Sequence, residues 1–352
     1  MEPHNYIFIK NRKLLETKLK IKTSRKFILG TSFALIGTLL STLVNAQPND
    51  TTYPDKPIKF VVPYTPGGSN DVVGRVLAEK LSNEWGQPIF TENKPGAGGN
   101  LGAALVANSS PDGYTLLITP NNLLTMNPAL YKNPGYDSKK DFEAISLIAT
   151  GPILLAVNSD LPVKSVEELI AYAKKYPNKL NYASAGVGTP HHLTAELFKS
   201  MAGIQMTHVP YRGAVPAVTD LAAGRVQLMF GIPNSLLPFI KTGQLRPLGI
   251  SGKNKVPYLP DVPTIASSGL PGFHSELWIG LIAPKGTPSA TLDKINSGIK
   301  ASMSDPKVKA TLENQGLSFA WSTQNDFNKL VNEDIMKWSK VIRENNITAD
   351  GS

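Results

Sequence analysis

From residue 58 onward, short apolar runs alternate with segments in which apolar positions recur every three or four residues. Apolar runs bounded by turn residues fit buried strands, and the three-to-four repeat marks the inner face of a helix. The first unit is complete. Ile-Lys-Phe-Val-Val-Pro at 58–63 leads into the turn-rich Tyr-Thr-Pro-Gly-Gly-Ser-Asn-Asp at 64–71, and then Val72, Val73, Val76, Leu77, Leu81 and Trp85 follow at helical spacing. Further strands are predicted at 114–119, 153–158, 180–184, 226–231 and 278–283. The helix after 184–190 is expected to bury Leu193, Leu197, Phe198 and Met201 on one face. Ser165 and Glu168 form a capping box, and Thr287-Pro288 puts proline at a first helical position. Thr323 with Asp326 opens a last helix whose apolar positions run from Phe327 to Val341.

Strands alternating with helices imply mainly parallel sheets flanked by helices. The chain is longer than one such sheet usually needs, so two α/β lobes are expected. In open α/β sheets, ligands bind beyond the carboxyl ends of the strands, in loops that lead into helices.

The first 46 residues read as an address. Arg25-Lys26 precedes an uncharged run at 27–46 that ends Val44-Asn45-Ala46, the three parts of a secretory signal peptide. Cleavage is expected after Ala46, placing the mature protein in the periplasm; an uncleaved membrane anchor is the competing reading. The charge follows from this division. Of 36 basic and 27 acidic residues, eight and two lie in 1–46, leaving 28 against 25 in the remainder. A formal charge of +9 thus reflects mostly the N-terminus, and no nucleic-acid partner is expected. Cysteine is absent, which excludes disulfides, thiolate metal sites and cysteine nucleophiles.

Two loops carry the candidate chemistry. Residues 63–71 and 184–189 each follow a strand, are rich in glycine or small residues, and open a helix. Unpaired N–H groups and the helix dipole make such starts suited to an anion such as a carboxylate. Thr65, Ser69, Ser184 and Thr189 add hydroxyls, and neither loop contains Lys or Arg. Pro-Gly-Ala-Gly-Gly-Asn-Leu-Gly at 95–102 fails both the dinucleotide and the P-loop patterns and reads as a tight structural loop. Adjacent His191 and His192 make a poor metal pair, and no G-x-S-x-G elbow marks a hydrolase.

Five motifs occur in order: 64–71 above, Glu-Asn-Lys-Pro-Gly-Ala-Gly-Gly-Asn at 92–100, Pro-Asp-Gly-Tyr at 111–114, Pro-Tyr-Arg-Gly at 210–213 with Thr-Asp-Leu-Ala-Ala-Gly at 219–224, and Leu-Pro-Asp-Val-Pro-Thr at 259–264 with Gly-Leu-Pro-Gly-Phe at 269–273. Together they resemble the substrate-binding proteins of tripartite tricarboxylate transporters, also called Bug receptors, over nearly the whole mature chain. The resemblance implies a two-lobed, type II-like Venus-flytrap receptor that captures a small organic carboxylate and delivers it to membrane permease subunits. It implies a monomer with no catalytic activity, no cofactor and no metal. A receptor serving a sensor or regulatory partner is the alternative.

Carried over by motif, the ligand-binding residues are Tyr64, Gly68, Ser69 and Asp71 in the first lobe and Ser184, Ala185, Gly186 and Thr189 in the second, with Asn121 and Asn122 as further side-chain contacts. Asp71, being anionic, is expected to cap its helix or act through water. His191 is weighed as a contact for a second ligand group. Lobe one is expected at 54–158 plus 278–352 and lobe two at 159–277, with hinges near 158–162 and 271–278.

Overall fold

The computed structural model describes residues 53–349; the expected signal peptide and its cleavage site lie outside the described residues. Eleven strands among the described residues form two sheets. They are β1 (Ile58–Val62), β2 (Ile89–Asn93), β3 (Thr115–Pro120), β4 (Phe142–Pro152), β5 (Leu154–Asn158), β6 (Asn181–Ser184), β7 (Thr207–Pro210), β8 (Leu228–Gly231), β9 (Leu245–Ile250), β10 (Glu276–Pro284) and β11 (Ser318–Phe319). The first sheet has the order β11-β4-β10-β3-β1-β2 and the second β7-β6-β8-β5-β9.

Both sheets are mixed rather than mainly parallel. Strands joined through a helix run parallel, as β1 does with β2 and β3, and β6 with β7 and β8. The strands that carry the chain between sheets enter from the other end. Thus β10 pairs antiparallel with β3 and β4, and β5 with β8 and β9. The two halves nevertheless repeat one unit, with a first strand flanked by the second and third: β2-β1-β3 and β7-β6-β8.

Helices cover both faces of each sheet. Along β5, Leu155 and Val157 join one apolar cluster while Leu154 and Ala156 join the other, so alternate side chains feed cores on opposite faces. The first sheet does the same, with Phe60 and Leu116 on one side and Val61 and Leu117 on the other.

The chain leaves the first sheet at Pro152 and joins the second at Leu154, so the change of sheet falls before the residue-158 region where it was expected. The return comes with β10 at Glu276. At this junction Ile153 N–H donates to Ser251 Oγ at 2.8 Å, and Ser275 N–H donates to Ser251 O at 3.0 Å. The last helix, Gln324–Glu344, serves both halves. Phe327 and Val331 sit in a first-sheet core, whereas Trp338 and Ile342 sit in a second-sheet core. Treating everything after 278 as part of one lobe overlooked this.

Local signals mostly held. Ser165 Oγ accepts from Glu168 N–H at 3.2 Å, and Thr323 Oγ1 accepts from Asp326 N–H at 3.1 Å. Two expectations did not. Pro288 is the N-cap of the helix Ser289–Ser302 rather than its first residue, and Met201 is 40% exposed while Leu193 and Phe198 are buried. Among the described residues, no helix is long and apolar enough to cross a membrane.

Candidate functional site

A cleft of about 330 Å³ opens where β1, β6, β7 and β8 hand over to their helices. Its walls are residues 64–70 from the first half and Ala185, 189–191, 212–216, Ile232, Asn234 and Ser235 from the second, with Pro120, Ile153 and Leu277 also lining it. The volume suits a small metabolite.

Four helices begin on this cleft: Ser69–Trp85, Pro190–Ala202, Ala214–Ala222 and Pro233–Lys241. Their N-cap residues are Gly68, Thr189, Gly213 and Ile232, and none makes a side-chain capping hydrogen bond. Of the longer helices that start elsewhere, Val166–Lys175, Pro306–Asn314 and Gln324–Glu344 are capped by Ser165, Asp305 and Thr323, whereas Asn100–Ala107 and Ser289–Ser302 are not. No N-cap side chain therefore satisfies the first-turn N–H groups at the cleft, although Pro190, Pro216 and Pro233 supply none and Ser235 N–H donates to Ile232 O at 3.1 Å, and four helix dipoles converge there with positive potential.

One formal charge lines the cleft. Arg212 is exposed at its edge, has no ion pair among the described residues, and is joined in the lining by no Asp or Glu. The loops at 63–71 and 184–189 do lack Lys and Arg, but the loop after β7 supplies one. Ile153, Ile232, Leu277 and several prolines form an apolar wall suited to a hydrocarbon segment.

Of the predicted site residues, Tyr64, Gly68, Ser69, Ala185 and Thr189 line the cleft; Asp71, Asn121, Asn122, Ser184 and Gly186 do not. Each of these five has a structural occupation. Asp71 accepts from Gly67 N–H at 3.0 Å, Arg75 Nε at 2.9 Å and Asn93 Nδ2 at 3.0 Å. Burial alone would raise its pKa, but these hydrogen bonds outweigh it and hold the carboxyl below its ordinary range. Asn121 Nδ2 donates to Glu276 O at 3.0 Å, tying its helix to β10. Asn122 Oδ1 accepts from Tyr64 Oη at 3.0 Å, and its Nδ2 donates to Gly98 O at 3.1 Å. The glycine loop at 95–102 thus rests on a buried amide network. Gly98 has φ 64°, a left-handed conformation suited to glycine, and a Cβ there would come within 2.6 Å of Tyr131 Oη.

Ser184 lies fully buried, with Oγ 2.6 Å from His208 Nε2 and accepting from Gly186 N–H at 3.1 Å. Gly186 O in turn accepts from Thr189 Oγ1 at 2.7 Å. The rings of His192 and His208 stack 4.0 Å apart, and His192 Nδ1 accepts from Gly188 N–H at 3.2 Å. This Ser–His pair shapes the loop from beneath and does not face the cleft.

Sequence reasoning missed the loops at 212–216 and 232–235. Each follows a strand and opens a helix, but no strand is predicted at 207–210 and 232–235 has no glycine, so neither met the pattern that selected 63–71 and 184–189.

A cleft between two α/β halves, walled by uncapped helix starts contributed by both, defines a two-lobed solute-binding protein. Residues 73–347 match the tripartite tricarboxylate transporter family receptor. Protein BugT of Bordetella pertussis is 34% identical over 313 residues, which are 88% of this chain and 96% of BugT. Among solved structures, Rpa4515 of R. palustris with adipate has a TM-score of 0.79 at 35% identity, covering 84% of this chain and 99% of that one. MatC (Rpa3494) from Rhodopseudomonas palustris with bound malate has a TM-score of 0.77 at 31% identity, covering 82% and 100%. The chain belongs to the tripartite tricarboxylate transporter receptors, the Bug family.

Proposed function

We propose that this receptor works in the periplasm, holds the carboxylate of a small organic acid between its two halves, and passes it without chemical change to a membrane permease. One observation carries the reading: four helix N-termini without side-chain caps and Arg212, which has no ion pair among the described residues, meet in one cleft whose lining contains no Asp or Glu. An anion there replaces lost water with N–H donors and a cation, whereas a neutral amide gains far less. The solved structures of Rpa4515 with adipate and of MatC with bound malate support the same ligand class.

Thermal-shift screening of the purified protein against carboxylates and their amides is the test. A ligand at about 100 times its Kd adds about 2.7 kcal/mol of stability. Acids should raise Tm and their amides should not, and Arg212→Gln should weaken acid binding. Equal stabilisation by acid and amide would refute the carboxylate reading.

A further inference from the structure

The loop at 184–189 walls the cleft with Ala185 and Thr189 and opens the helix Pro190–Ala202. Neither Gly186 nor Gly188 has a side chain to anchor it, so hydrogen bonds to their backbone groups decide where the loop sits. Both N–H groups are taken from beneath. Gly188 N–H donates to His192 Nδ1 at 3.2 Å. Gly186 N–H donates to Ser184 Oγ at 3.1 Å, and that oxygen lies 2.6 Å from His208 Nε2. Ser184, His192 and His208 are all outside the cleft lining.

The two imidazoles are held in a fixed orientation. Their rings stack at 4.0 Å with 11° between the planes, and Tyr182 stacks on His208 at 4.8 Å. Tyr182 Oη donates to Glu196 Oε1, and Lys199 Nζ donates to both Glu196 oxygens, at 2.7 and 3.0 Å. These contacts tie β6, β7 and the helix Pro190–Ala202 into one support. Because His192 Nδ1 accepts, its proton sits on Nε2, 4.0 Å from Glu196 Oε1. Burial first, and then the Lys199 ammonium, depress His192 to a pKa of about 4, so the ring is neutral near pH 7 and keeps that lone pair. Packing alone would be served by an apolar side chain, since burying a polar group costs free energy unless it is hydrogen-bonded. What the imidazole adds is an acceptor aimed at the loop.

We infer that His192, with His208 behind Ser184, is a positioning residue for ligand capture: it does not touch the ligand, but it holds the loop backbone so that Ala185, Thr189 and the first turn of the helix face the bound anion. This rests on the carboxylate reading above and adds determinants of affinity that lie beneath the cleft.

Isothermal titration of the purified protein at pH 7.5 with mono-, di- and tricarboxylates that include adipate and malate tests it, alongside hydrogen exchange of the loop amides. His192→Phe keeps a stacked ring and removes the acceptor. It should raise the Kd of the tightest-binding acid about tenfold or more and speed exchange at Gly188. His192→Asn places an amide oxygen near the Nδ1 position and should bring the Kd back to within about threefold of the parent. His208→Phe should weaken binding likewise, and His208→Gln should restore part of it. Phe198→Leu, a core substitution in the same helix, should lower Tm without raising the Kd. Circular dichroism and Tm check that each variant folds, and His192→Leu substitutes if His192→Phe does not. A folded acceptor-less variant that binds as the parent does, a His192→Asn variant that binds no better than it, or a Phe198→Leu variant that weakens binding equally overturns the positioning role alone. No binding by any acid to the folded parent overturns the carboxylate reading, and the role in capture with it.

Discussion

Asn234 Nδ2 donates to Gln315 Oε1 at 2.5 Å, and the same oxygen lies 3.3 Å from Ser69 Oγ. Gln315 follows the helix Pro306–Asn314 beside the first sheet, whereas Asn234 opens the helix after β8 of the second. One acceptor atom therefore joins a cleft residue of each half outside the crossing strands. Across the molecule, Tyr131 Oη donates to Val187 O at 3.4 Å, giving a second bond between the halves. Such contacts favour the closed arrangement only if opening breaks them.

Removing the Gln315 side chain should therefore weaken binding without touching the ligand. Gln315→Ala is expected to raise the Kd of a bound carboxylate by about 0.5–1.5 kcal/mol, the usual net contribution of a hydrogen bond. Small-angle scattering should show a larger radius of gyration in the ligand-free variant. Calorimetry giving an unchanged Kd would dismiss the latch.

The helix Gln324–Glu344 makes a second, larger connection. Trp338 is 1% exposed in a second-sheet core, while Phe327, eleven residues earlier, is fully buried in a first-sheet core. Trp338→Ala should cost about 3–5 kcal/mol, as truncation of a buried aromatic does. Urea unfolding should then become broader or split, because the substitution cuts the shared core. A loss below about 1 kcal/mol would mean that the helix end is not integral to the second half.

Stability should fall early on acidification. Burial first of all depresses His191 and His192 to about 4 and His208 to about 3. The unfolded values are near 6.5, so the unfolded chain takes up these protons first. The stabilisation is complete above about pH 6.5 and is lost as the pH falls towards 4, at no more than about 1.4 kcal/mol per pH unit for each ring. Protonating His192 Nδ1 would also break its bond from Gly188 N–H and loosen the loop above it. Denaturant titrations giving equal stability at pH 7 and pH 5 would contradict this.

Asp71 should act in a lower window. Its folded pKa is depressed, so its contribution is present above the unfolded value of about 3.9 and disappears as the pH falls through the lower folded value. Asp71→Asn should cost about 1.5 kcal/mol at pH 7, the low end for charged hydrogen bonds, since the Arg75 side chain is 52% exposed and screened by water. The gap between variant and parent should narrow as the pH falls below the unfolded value and close as it passes the lower folded one. A gap independent of pH would point to lost packing instead.

Asp71, Asn122 and Ser184 were legible as important positions near strand ends, but not as ligand contacts. Each turns from the cleft to pair with atoms brought up by the fold, among them Asn93, Gly98 and His208. A motif records that a residue type is needed at a position, and the same motif serves whether its side chain holds a ligand or the loop beneath it.

The sequence by itself determined what depends on neighbours within a few residues. Ser165 and Thr323 cap helices through bonds three residues long, and the glycine-rich turn after β1 must open a helix because Val72, Val73 and Val76 repeat at its spacing. The ordered motifs sufficed for the family. Tertiary structure decided the rest. Strand direction depended on which end of each sheet the connecting strands enter. Arg212, Asn234 and Leu277 reached the cleft because β7, β8 and β10 pack beside β6, β5 and β3, arrangements set by core burial on both sheet faces. Asn70 and His191 line one cleft for the same reason: they open helices of different halves, and the packing of two repeated units across Ile153 and Ser251 brings those helix starts to it.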